Sequence, residues 1–151
     1  MTEPVIKIIE VACNAETAFG VFARDFAKWW PKDKHSVSAM GGLAARSVRL
    51  EPRVGGVIEE LGADGVVHVW GSVKTYDPPR QLSLLWHIGT PLEQATIVDV
   101  VFVENGARTT VTLTHHNWEA MGEAAAQMRE GYDKGWVHVF ETCFAAACAA
   151  A

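Results

Sequence analysis

Apolar and polar positions change their rhythm twice along this chain. The opening stretch VIKIIEVAC (5–13) is rich in β-branched residues and reads as a strand. Asn14 then offers a side-chain oxygen for a helix N-cap, with Glu16 and Thr17 in the turn that follows. Phe19, Phe22, Phe26 and Trp29 recur at i, i+3, i+7 and i+10, which is one face of a helix. Pro31 stops that segment, and residues 31–45 read as loop, punctuated by Gly41-Gly42.

From Arg46 to His116 the period becomes two, and turn signals divide the stretch into about six strands. Asp64-Gly65 and Asn105-Gly106 are two-residue hairpin signals, and Pro78-Pro79 reverses the chain in a longer loop. After Asn117 the sequence is alanine-rich and helical, with Gly131 and Gly135 marking a break before the last helix. Trp136, Val139, Phe140, Cys143, Phe144 and Ala147 form its apolar stripe. A helix from about Tyr132 to Ala150 spans roughly 28 Å at about 1.5 Å per residue. An eight-residue strand spans roughly 26 Å, so the helix is long enough to cross the sheet.

Strand parity assigns faces. A two-residue turn at Asp64-Gly65 sets Ile58 opposite Gly71 and turns Ile58, Glu60, Val67, Val69, Gly71 and Val73 toward the core. Glu59, His68, Trp70, Ser72 and Lys74 then face outward. A four-residue loop over 77–80 places Trp86 opposite Gly71, on the core face, where the glycine leaves room for its indole. The third hairpin turns Thr96, Val98, Val100, Phe102, Val111, Leu113 and His115 inward, with Val98 opposite Leu113 and Thr96 opposite His115. His115 and His116 fall on opposite faces and cannot chelate one metal ion. Trp70, Val57, Leu61, Leu85, Ile97, Val101 and Val103 make the outer face apolar, which predicts a two-fold homodimer through the convex side of the sheet.

At 151 residues, with 49% hydrophobic and 21% charged, the chain has the composition of one folded domain spanning 1–151. The net charge of −5 argues against nucleic-acid binding. There is no apolar run of about 18 residues and no cleavable leader, so the expected location is the cytoplasm and no membrane partner is expected. Cys13, Cys143 and Cys148 form no C-x-x-C pair and read as free thiols. No H-x-x-x-H pair, Cys/His cluster or G-x-S-x-G elbow occurs, and Gly55-Gly56 precedes a strand. Neither a metal, another cofactor, a nucleotide nor a catalytic nucleophile is expected.

The motifs WW (29–30), RVGG (53–56), DG (64–65), WGSV (70–73), DPPRQL (77–82), TLTHHNW (112–118) and GW (135–136) occur in an order that resembles the START-like (SRPBCC) superfamily. Within it the chain is most similar to the bacterial branch related to the activator of the ninety-kilodalton heat-shock protein ATPase. The resemblance covers nearly the whole chain. It implies an α+β helix-grip fold: a curved antiparallel sheet of about seven strands around a long C-terminal helix, with a helical segment after the first strand. Asn117 stands where relatives often carry glycine. The resemblance also implies an apolar cavity between sheet and helix, for which Trp30, Glu60, Trp86, Thr96, His115 and Trp136 are the lining candidates. Three functions follow as expectations. They are binding of a small apolar or aromatic molecule, contact with a chaperone as an ATPase activator, and a cyclase or hydratase with His115 and Glu60 as acid and base.

Overall fold

The structure is a computed structural model and describes residues 2–151. Strand β1 (Val5–Val11) is followed by short helices α1 (Ala15–Phe22), α2 (Phe26–Trp29) and α3 (Val37–Met40). Six strands then run as a meander: β2 (Ser47–Leu50), β3 (Val57–Leu61), β4 (Val67–Asp77), β5 (Gln81–Trp86), β6 (Thr96–Asn105) and β7 (Arg108–His116). They join β1 in one antiparallel sheet of order β1-β7-β6-β5-β4-β3-β2. The sheet curls around a C-terminal helix, giving the helix-grip architecture. Among the described residues no helix is long and apolar enough to cross a membrane.

The Asn14 side chain caps α1 by accepting the Thr17 N–H at 2.8 Å. Phe19, Phe22, Phe26 and Trp29 are all buried, although the helix they share is interrupted between Phe22 and Phe26. The C-terminal helix runs without a break through α4 (Ala125–Trp136), a π-helical stretch (Val137–Phe144) and α5 (Ala145–Ala150). Gly131 and Gly135 therefore lie inside the helix rather than before it. The break comes earlier, at Gly122 with φ +59°, and Asn117 takes the left-handed conformation at φ 68°. Asparagine is the usual substitute for glycine there, because its short side chain tolerates that backbone. Trp136, Val139, Phe140, Phe144 and Cys148 are buried against the sheet. Arg129 ties the helix to the start of β1 by donating to the Glu3 and Pro4 carbonyls at 2.8 and 3.0 Å.

Trp70 is the main correction to the parity reading. The β3–β4 turn has three residues, Ala63 to Gly65, because Gly62 N–H bonds the Val66 carbonyl and Gly65 takes φ +79°. Leu61 then faces Val67 and Glu59 faces Val69, one residue off the two-residue register. A β-bulge at Trp70 removes the offset, so Ile58 still faces Gly71. In consequence Val67 and Val69 are half exposed, at 54% and 48%, while Trp70 is fully buried in the core. The convex face loses the residue on which the expected homodimer was centred.

The β4–β5 loop repeats the pattern with three residues between Asp77 and Gln81 and a bulge after Val73. Gly71 faces Trp86 and Val73 faces Leu84, while Tyr76 faces Leu82 rather than Gln81. A Cβ on Gly71 would sit 1.8 Å from the Leu85 carbonyl oxygen. Glycine is required by the partner backbone, not by the Trp86 indole. Between β6 and β7 the turn residues are Gly106 and Ala107, which moves the pairing by two and sets Val98 opposite His115. An even shift preserves faces, and all seven residues assigned inward on this hairpin are buried.

Candidate functional site

A cavity of about 420 Å³ opens between the C-terminal helix, residues 30–40 and the end of β5. Its walls are Trp30, Trp86, Tyr132 and Trp136, with Ile88, Met128 and Val139 between them and Lys34, His35, Met40 and Gln127 among the remaining lining residues. Each large ring is placed by a separate element. Trp30 follows α2, and its indole N–H closes the next turn by donating to the His35 carbonyl at 2.7 Å. Trp86 ends β5 opposite Gly71. Tyr132 and Trp136 lie one turn apart on α4 and face the same way.

All six indole N–H groups are satisfied inside the protein. Trp29 donates to the Val21 carbonyl, Trp70 to Glu60, Trp118 to the His115 carbonyl, Trp136 to His115 Nδ1 and Trp86 to the Tyr132 hydroxyl. Burying an indole without such an acceptor is costly. The tryptophans that wall the cavity thus present apolar faces to it.

His115 sits one layer behind that wall. An indole N–H can only donate, so His115 Nδ1 accepts from Trp136 at 3.0 Å and the ring hydrogen resides on Nε2. Nε2 donates to Thr96 Oγ1 at 2.7 Å, which passes its own hydrogen to the Trp86 carbonyl at 3.1 Å. Burial, with a smaller contribution from His116, holds the His115 pKa down to about 3. The imidazole is a neutral structural link with no free nitrogen. Its folded pKa lies below the ordinary value, so its contribution to stability is complete above about pH 6.5 and is lost as pH falls toward about 3. Urea unfolding between pH 6.5 and 4.5 should show stability falling, and His115→Gln should remove about 1.4 kcal/mol per pH unit of that slope. An unchanged slope would contradict the buried neutral ring.

Glu60 is fully buried beneath α3. Oε1 accepts from Val37 N–H at 2.5 Å and Trp70 Nε1 at 2.8 Å; Oε2 accepts from Ser38 N–H at 3.2 Å and Ser38 Oγ at 2.9 Å. The carboxylate caps the short helix and fastens residues 36–39 to β3.

Of the residues anticipated from sequence, Trp30, Trp86 and Trp136 line the cavity. Thr96, His115 and Glu60 do not, and the last two serve separate networks rather than one acid–base pair. Sequence reasoning missed Tyr132, Met128, Ile88, His35 and Met40. Met128, Tyr132, Trp136 and Val139 recur at i, i+4, i+8 and i+11, a stripe visible once the helix is extended past Gly131. His35 also lies beside His138, the tilted rings 5.6 Å apart at their centroids, and burial followed by the His138 charge lowers its pKa. The π-helical turn brings Cys143 Sγ to 3.7 Å from His138 Nε2. Among the described residues no group of three or more His, Cys, Asp or Glu side chains is placed to hold a metal ion.

Comparison with known proteins gives a family match and a set of structural likenesses. The family model described as Activator of Hsp90 ATPase homolog 1-like protein matches residues 12–145. Among solved structures, the anthrahydroquino-γ-pyrone synthase Txn09 is 29% identical with a TM-score of 0.64, covering 97% of each chain. CalC from Micromonospora echinospora, a self-sacrificing resistance protein, is 25% identical with a TM-score of 0.70, covering 97% of this chain and 94% of its own. Protein MLL2253 from Mesorhizobium loti shares the fold at 13% identity, with a TM-score of 0.69 and 98% of each chain covered. No curated protein matches the chain.

Proposed function

We propose that this chain, which belongs to the family of Activator of Hsp90 ATPase homolog 1-like proteins, binds a small apolar or aromatic molecule in the cavity between sheet and C-terminal helix. The observation that carries the reading is the cavity itself. About 420 Å³ is walled by four aromatic rings whose polar atoms mostly point into the protein. That volume and lining suit small-molecule sites, which are concave, mainly apolar and marked by few polar groups. The cytoplasm belongs to the same proposal, since the three cysteines are free thiols.

Likeness to Txn09, described as a synthase, favours a second reading in which the bound molecule also reacts. In this chain such chemistry would fall to Tyr132 and His35, which line the cavity, and not to His115 and Glu60.

Gly131 supplies the test. It lines the cavity from within α4, and a Cβ built there meets nothing within 4 Å. Gly131→Phe should fill the cavity without a backbone clash, and a helical glycine replaced gains up to about 1 kcal/mol. Calorimetric titration with fluorene should show binding to the wild type and at least tenfold weaker binding to the variant. Native mass spectrometry of protein from its own host should likewise show a retained ligand only without the substitution. A wild type that binds no fluorene and retains no ligand would end the proposal.

A further inference from the structure

Every indole nitrogen in the core has an acceptor, but among the four aromatic walls of the cavity the Tyr132 hydroxyl keeps a hydrogen to give. Tyr132 Oη accepts the Trp86 indole hydrogen at 3.1 Å, and among the described residues its own hydrogen has no acceptor. The nearest aromatic neighbours do not take it: both His115 nitrogens are already engaged, and Trp86 and Trp136 offer only donors. The Trp86 contact occupies one side of the oxygen and so restricts where the hydroxyl hydrogen points.

We propose that Tyr132 is the specificity-determining polar anchor of the cavity, donating its hydroxyl hydrogen to an acceptor oxygen, a ketone or quinone carbonyl, on an otherwise apolar aromatic ligand. This rests on the binding function proposed above. A ligand that fills the cavity displaces the water that would otherwise take this hydrogen. A pure hydrocarbon leaves a buried donor unpaired, whereas a carbonyl at that point satisfies it. Burial pushes the Tyr132 phenol up to about 12, so it remains a neutral donor across the working pH range. The Trp86 N–H strengthens the donor, because accepting one hydrogen bond polarises the hydroxyl that gives the next.

Fluorene and 9-fluorenone differ at one ring carbon, which bears a carbonyl oxygen in the second, and make the test direct. Calorimetric titration should find the wild type binding fluorenone about tenfold more tightly than fluorene. Tyr132→Phe should shrink that preference, chiefly by binding fluorene more tightly than the wild type does, because the hydrocarbon no longer leaves a hydroxyl unpaired. The infrared carbonyl stretch of fluorenone bound to the wild type should shift to lower frequency, a signature that does not depend on the variant folding. Equal affinities for the two probes, or an unshifted stretch, would overturn the anchor while leaving cavity binding intact. If neither probe binds, the anchor falls, and the binding reading falls with it when no host ligand is retained.

Discussion

Replacing Glu60 with alanine should lower the stability of the protein by about 4 kcal/mol, which for a chain of this size is a fall of about 8–16 °C in Tm. The size follows from what the carboxylate holds. Two backbone N–H groups, the Ser38 hydroxyl and the Trp70 indole all donate to it, and the residue is fully buried. Alanine strands the buried Trp70 indole and the part-buried donors of Val37 and Ser38, and each stranded buried donor costs about 1–3 kcal/mol. Glu60→Gln should cost nearly as much despite its shape. One of its oxygens becomes an NH₂ group facing donors, and a donor cannot bond a donor. Urea denaturation of both variants checks this, and a loss below about 1 kcal/mol for either would contradict the network.

Trp70→Ala should cost about 3–5 kcal/mol, the usual range for emptying a large aromatic site in a core. Trp70 is fully buried, touches the rings of Trp30 and Trp86 at centroid distances of 5.4 and 6.0 Å, and supplies one of the Glu60 donors. Trp70→Phe retains most of the ring contact and loses the hydrogen bond, so it should fall between the wild type and alanine. The Trp70→Phe and Glu60→Gln losses should not add, because both act on one bond. Additive losses would show that the indole and carboxylate do not interact as described. A surface tryptophan would have behaved differently: its removal would alter association and leave stability nearly unchanged.

Trp70 also shows where sequence reading stops. Hydrophobic period identifies the strand–helix order, the six-strand meander and both faces of β6 and β7, because that hairpin alternates without interruption. In β4 the same rule fails twice, for one reason each time. A turn one residue different from its dipeptide signature displaces the register, and a bulge restores it further along. Period-two counting detects neither event, since each hides the other outside the interval between turn and bulge. Ile58, Gly71 and Trp86 lie outside that interval, and parity places them correctly; Val67, Val69 and Trp70 lie inside it, and parity inverts them.

The cavity was less legible than the fold, and the helix explains why. Glycine signals a break when propensity alone decides, but Gly131 and Gly135 sit inside α4 on its cavity side. Taking them for a break cuts Met128 out of the helix and leaves Tyr132 at its start, outside the apolar stripe, rather than a wall of the site. The polar candidates failed differently. Inward parity predicts that a side chain is buried, not that it meets the cavity. Glu60 and His115 show that buried polar residues also serve as joints between elements, fixing α3 to β3 and α4 to the sheet.

The tryptophan cluster has an optical consequence. Trp29, Trp30, Trp70, Trp86 and Trp136 form a continuous train with ring centroids 5.4–6.1 Å apart, and Trp118 adjoins it through Tyr132 at 5.7 Å. At such spacing excitation should pass from ring to ring, so the emission of the six tryptophans should be coupled. A quencher in the cavity should therefore dim residues it never touches, including Trp29 and Trp70. Intensity reports that something has bound, but not which wall it touched.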